Sequence, residues 1–260
     1  MAQATEMPKL DAPPIIEVMC GVFFRPVEGL DPVFVGGWWR EVKDDFPRHS
    51  LQAAVAELPI FISHGSPPVR SWLISSDDEW VLQIQPDRFY VNWRKRGGAY
   101  PRFSGENGVL ERAIRELRRF REHCRSELGS DLALSTAELA KVDLVVEGEH
   151  WRGPDDLGQV LPVIADIGRL AKSNDVELGL NLVQRRPRGA MHLTLSLSTD
   201  TIWGGQIARA AKIETRCIGE LVGSEEQQVR EAFANLNADA NEAFFGIIGP
   251  GQLDRFKARK

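Results

Sequence analysis

Apolar and polar residues alternate through Glu79–Arg94 (EWVLQIQPDRFYVNWR) on either side of Pro86-Asp87. Proline pre-sets φ and aspartate bonds readily to nearby backbone N–H groups, so this pair predicts a tight turn. Folding the stretch there sets Gln85 against Arg88, Ile84 against Phe89, Gln83 against Tyr90, Leu82 against Val91, Val81 against Asn92, Trp80 against Trp93 and Glu79 against Arg94. One face then carries Trp80, Leu82, Ile84, Phe89, Val91 and Trp93. The other carries Gln83, Gln85, Arg88, Tyr90, Asn92 and Arg94. A period of two with sorted faces predicts an antiparallel hairpin buried on one side.

The same rules order the rest of the chain. Residues 1–11 form a polar tail. Ile15–Arg25 is a strand whose second half is apolar on both faces, which places it centrally in a sheet. Asp31-Pro32 starts a helix, with aspartate as N-cap and proline at the first helical position. That helix runs to about Phe46, and Gly36-Gly37 within it suggests close packing against another backbone. Leu51–Ile62 holds a second strand, 64–68 a loop and Val69–Ser75 a third strand. Asn107–Leu128 carries the apolar stripe Leu110, Ile114, Leu117, Phe120, Cys124, Leu128, with Gly129 as C-cap and a solvated Arg/Glu face opposite.

Beyond it come a strand within Leu132–Glu147, a helix from Gly153 to about Lys172, and strands over Val176–Val183, Met191–Ser198 and Ile207–Leu221. Ser224-Glu-Glu-Gln227 reads as a capping box opening the closing helix. Both halves thus read strand, helix, several strands, long helix. The expected fold is α+β: two tandem units, 12–130 and 131–260, with antiparallel sheets and helices on one face.

Charge and composition narrow the function classes. The formal net charge is −5, which does not favour a nucleic-acid wrapper. Three separated cysteines suit buried thiols in a reducing compartment. No basic, apolar leader opens the chain, and no apolar run reaches the roughly 18 residues of a membrane helix, so a cytoplasmic protein is expected. The phosphate-loop, dinucleotide, HExxH and GxSxG patterns are all missing. Glu147, Glu149 and His150 lie close in sequence, but not at a ligand spacing; no metal or cofactor is expected. Cys124 falls on a core stripe, and His192 on the polar face of a strand.

The order of elements resembles the duplicated helix-over-sheet unit of the TATA-binding protein, which implies a curved sheet with one face left open. PPIIEVMCGVFF, KDDFP, IQPDRFYVNW and NEAFFGII also resemble a sporadically distributed family of bacterial proteins. That resemblance brings no catalytic residues and implies an accessory cytosolic role. The polar hairpin face is therefore the candidate binding site: Gln83, Gln85, Arg88, Tyr90, Asn92 and Arg94. It is expected to be open to solvent and to meet a protein partner or a second copy of the chain. The alternatives are a nucleic-acid or nucleotide binder using the same face with Arg94-Lys95-Arg96 and Arg185-Arg186-Arg188, and an enzyme with a site between the repeats. An exposed Arg88 predicts that Arg88→Ala costs within about 0.5 kcal/mol, against about 3–5 kcal/mol for Trp93→Ala.

Overall fold

The structure, a computed structural model, describes Pro8 and residues 10–53, 69–165 and 178–256. The expected tail, the 64–68 loop and the stretches 54–62 and 166–177 of the expected elements lie largely or wholly outside these. The strands are β1 (Ile15–Phe24), β2 (Arg48–Ala53), β3 (Val69–Ile74), β4 (Trp80–Gln85), β5 (Arg88–Arg94), β6 (Leu134–Val146), β7 (Leu178–Arg186), β8 (Gly189–Trp203) and β9 (Gln206–Glu220). The helices are α1 (Pro32–Val42), α2 (Val109–Leu128), α3 (Gly153–Val160) and α4 (Glu226–Ile247). The strands bond in the order β2-β3-β4-β5-β1-β6-β9-β8-β7, which gives an open sheet and an α+β fold. β1, apolar on both faces in its second half, does lie between two neighbours.

The chain clusters into two compact units. One holds Glu17–Leu139 and Ile218–Ala234; the other holds residues up to Ile16, Ala140–Cys217 and Asn235 onward. They do not follow the sequential halves. The first turns of α4 bind α2 through Arg118–Glu226 (2.7 Å) and the pair Arg230–Glu111, and Arg121 donates to the Ser224 carbonyl (2.6 Å).

In the first unit the β4–β5 register sets Trp80 opposite Trp93, Leu82 opposite Val91 and Ile84 opposite Phe89, as the alternation requires. α1 and α2 cover this apolar face. Phe89 stacks on Phe120 of α2 (4.8 Å, 12°) and meets Trp38 of α1 edge-on (6.0 Å). Each of these rings is buried, worth about 1.5–3 kcal/mol apiece. Asp31 Oδ1 caps α1 by accepting from the N–H groups of Val33 and Phe34 (both 2.9 Å). Gly129 ends α2 at φ +63°, a left-handed conformation that glycine adopts at no steric cost.

Three expectations need correction here. No described atom lies within 4 Å of a Cβ built on Gly36 or Gly37, so no backbone packs closely against them. The charged face of α2 is not wholly solvated. Glu116 is fully buried and gathers Arg112 (3.0 Å), Arg115 (3.2 Å) and Arg119 (3.0 Å), while Arg112 lies over Phe46 and Trp80. The capping box does not form: Ser224 Oγ accepts from Leu134 N–H, and Gln228 takes the Glu225 N–H instead.

In the second unit Leu193, Leu195 and Leu197 of β8 join Val145, Trp151, Leu157, Val160, Phe244 and Phe256 in one core. Gly204 and Gly205, at φ +57° and +79°, make the two-residue turn between β8 and β9 that hairpin twist favours. Arg255 closes this unit by bonding Asp156 (2.6 and 2.9 Å).

Candidate functional site

The six side chains picked out by alternation do share one face, opposite α1 and α2, since the β1–β5 and β4–β5 registers keep them in step. They do not form an open, wettable surface. Gln83, Gln85, Arg88, Tyr90 and Asn92 are all buried, and the Arg94 side chain is 14% exposed. Alternation reports which face a residue takes; burial on that face depends on what its neighbours lay across it.

Those neighbours come from β1, β3 and β6. Gly21 of β1 sits directly opposite Tyr90, and the tyrosine ring occupies the space a Cβ there would need (2.2 Å). The Tyr90 hydroxyl donates to Glu138 (3.3 Å). Asn92 donates to Glu17 (2.8 Å). Asp87 holds Arg88 through both oxygens (Nε 3.0 Å, Nη2 2.8 Å), and the guanidinium lies 4.5 Å over the Phe23 ring. Burial pushes the Asp87 carboxyl up, but the Arg88 bonds outweigh it and hold the group below its usual range.

The other end of the face is arranged differently. Arg70, one strand over on β3, gives its Nη1 to the neutral Gln83 amide oxygen (2.7 Å). Arg94, Arg96 and Arg48 share one carboxylate, Asp78 (2.7, 2.6 and 3.2 Å). Arg70 and Arg94 both lie over the Trp72 ring, at 5.1 and 5.7 Å. Arg70 Nε, Trp72 Nε1 and Arg94 Nε are buried with no hydrogen-bond partner among the described residues. Pattern reasoning on the hairpin alone missed Arg70 and Trp72. The signal available was their own alternation in Val69–Ile74, which places them on the Gln83 face.

A second feature lies on the helical face. A groove of about 580 Å³ runs beside α1, lined by Val33, Gly36, Gly37, Trp39 and Arg40 on the helix and by His49, Leu51 and Leu73 on β2 and β3. Val33 and Leu51 are 82% and 58% exposed. The bare glycines leave the helical wall open, and Trp39 stands over His49 (4.6 Å). β2 ends the strand order, so its outer edge has no strand partner among the described residues.

The remaining candidates disperse. Glu147 accepts from Gly153 N–H (3.3 Å) and Glu149 from the Trp203 indole (2.7 Å), while His150 Nδ1 accepts from Val146 N–H (3.0 Å). Among the described residues no three metal-ligating side chains converge. Arg186, from the second basic turn, is tied to Asp239 (2.8 Å). Cys124 and Cys217 are buried, and burial pushes both thiols up to about 12. Asp143 is raised to about 7 by its burial, opposed by the charge of Lys141, whose Nζ donates to Asn241 on α4 (2.6 Å). No described helix is long and apolar enough to cross a membrane.

The chain matches no protein-family model, no curated protein and no solved structure.

Proposed function

We propose that this chain is a non-catalytic, cytosolic binding protein that recognises an extended segment of a protein partner. The observation that carries this is the open groove beside α1, bordered by the edge of β2, which has no strand partner among the described residues. An unpaired strand edge offers a row of free N–H and C=O groups, and an extended backbone complements it, with alternate side chains reaching an adjoining pocket. The groove is mainly apolar. Among the described residues its charged or titratable lining groups are Arg40 and His49, with no carboxylate. An apolar residue flanked by an acidic one suits that lining. The polar sheet face first expected to carry this role is packed, which moves the partner surface to the opposite side of β3.

Selection of displayed random peptides against the full chain tests this. Enriched peptides should alternate apolar and polar positions and carry an acid. Their binding should be lost in Gly36→Leu and Gly37→Leu, which fill the groove and gain helix propensity of about 0.5–1 kcal/mol each. Failure to enrich, or undiminished binding to both variants, sinks the proposal.

A second copy of the chain is favoured by a separate observation. β7 also ends the strand order, and its Leu182 and Val183 are 47% and 58% exposed. Sedimentation of wild type against Asn181→Pro, which removes an edge N–H, separates monomer from edge-paired dimer. The nucleic-acid alternative is weakened, because Arg94 and Arg96 are bonded to Asp78 and Arg186 to Asp239.

A further inference from the structure

The end of the polar face around Trp72 has more donors than acceptors. Four guanidiniums lie there: Arg70, Arg94, Arg96 and Arg48. Among the described residues Asp78 is the one carboxylate bonded to them, and it serves three. Arg70 pairs with no carboxylate among the described residues; its one bond is to the Gln83 amide. Glu17, the other nearby acid, accepts from Asn92. Three N–H donors around one indole then lack acceptors: Arg70 Nε, Trp72 Nε1 and Arg94 Nε. A buried donor left unpaired costs the full desolvation of that group, so native structures rarely cluster them without a ligand or water to receive them. Arg88, six residues before Arg94 on the same hairpin face, differs in charge balance: both oxygens of Asp87 bond its Nε and Nη2, and its Nη1 alone lacks a partner among the described residues.

We propose that Arg70, Trp72 and Arg94 form a binding site for an oxyanion, a carboxylate or a phosphate group, received at the edge of the Trp72 indole between the two guanidiniums. The arrangement has the parts such a site needs. Guanidinium forks match the geometry of carboxylate and phosphate oxygens. The indole N–H is a donor only and cannot be satisfied by another cation. Stacking on the ring fixes both arginines before the ligand arrives, so little side-chain freedom is lost on binding. Burial also holds the Arg70 and Arg94 guanidiniums below their usual range, with Asp78 opposing the shift at Arg94. Trp72 also contributes to the lining of the groove, but Arg70 and Arg94 do not.

The test uses the full ¹⁵N-labelled chain and follows the tryptophan indole N–H resonances. Sodium phosphate and sodium acetate are titrated separately, with sodium chloride at matched ionic strength as control. One indole signal, identified by its loss in Trp72→Phe, should shift saturably. Saturation with phosphate alone assigns a phosphoryl ligand, with acetate alone a carboxylate, and with both the shared class; each supports the site. Arg70→Gln should weaken binding roughly tenfold or more, the loss of a bond to a charged group, and Arg70→Lys serves if the glutamine variant does not fold. Gly36→Leu fills the groove that Trp72 also lines and can move the free indole signal, but it should leave the anion affinity unchanged, which separates this site from the groove. The proposal is overturned if neither anion shifts that signal saturably, if chloride moves it equally, or if a folded Arg70 variant binds like wild type.

Discussion

Arg88→Ala distinguishes a wetted face from a packed one. On an exposed face the substitution costs within about 0.5 kcal/mol. The structure argues for more. Arg88 is 6% exposed, bonded at two points to Asp87 and stacked on Phe23. Hydrogen bonds to charged groups contribute about 1.5–3 kcal/mol net, and a desolvated cation–ring contact about 1–2 kcal/mol. The Asp87 side chain is 37% exposed and water can replace its lost partner, which discounts the first figure. A loss of about 2–3 kcal/mol remains, or roughly 5–10 °C in melting temperature for a chain of this size.

The pH dependence gives the loss a signature. Asp87 is held below its usual range in the folded chain, so its contribution is present above the unfolded value near 3.8 and fades as pH falls through the folded one. The gap between wild type and Arg88→Ala should therefore be full at neutral pH and narrow under acid conditions. Urea unfolding followed by circular dichroism, repeated across pH, measures both. A neutral-pH cost below about 0.5 kcal/mol, or a gap that widens on acidification, refutes the packed-face account.

Three further outcomes follow from single contacts. Gly21→Ala places a methyl group 2.2 Å from the Tyr90 ring and should cost about 1–3 kcal/mol by overpacking, while Gly36→Ala should cost nothing; equal melting temperatures for the two would disprove the ring's position. Cys124 and Cys217, with thiols pushed up to about 12, should resist a disulfide reagent at pH 8 in the native chain and react once urea unfolds it; rapid native labelling at either contradicts their burial. Asp143 is raised to about 7, so the folded state binds its proton more tightly and this group makes stability fall as pH rises from about 4 to 7; Asp143→Asn should flatten that stretch of the pH–stability curve, and an unchanged slope assigns the dependence elsewhere.

The chain's own pattern determined much of this protein. The period of two in Glu79–Arg94 set both the pairing of β4 with β5 and the face each side chain takes, because successive strand residues must point to opposite sides. Asp31 and Gly129 marked helix ends for equally local reasons: a side-chain oxygen placed to accept orphan N–H groups, and a residue free to take positive φ. What local pattern does not hold is how deep a face lies and which charges meet. Arg88 and Asn92 read as surface residues from their chemistry. They are buried because Phe23 lies against Arg88, Glu17 accepts from Asn92, and Gly21 gives Tyr90 room to lie across the sheet. Glu116 read as part of a solvated helix face, yet three arginines enclose it. Strand order decided the rest. It brought Arg70 and Trp72 within reach of Arg94, some twenty residues away, and left β2 and β7 at the ends of the sheet with no outer strand partner among the described residues. Exposure and charge balance are properties of neighbours in space, and residues distant along the chain become neighbours only when the sheet is assembled.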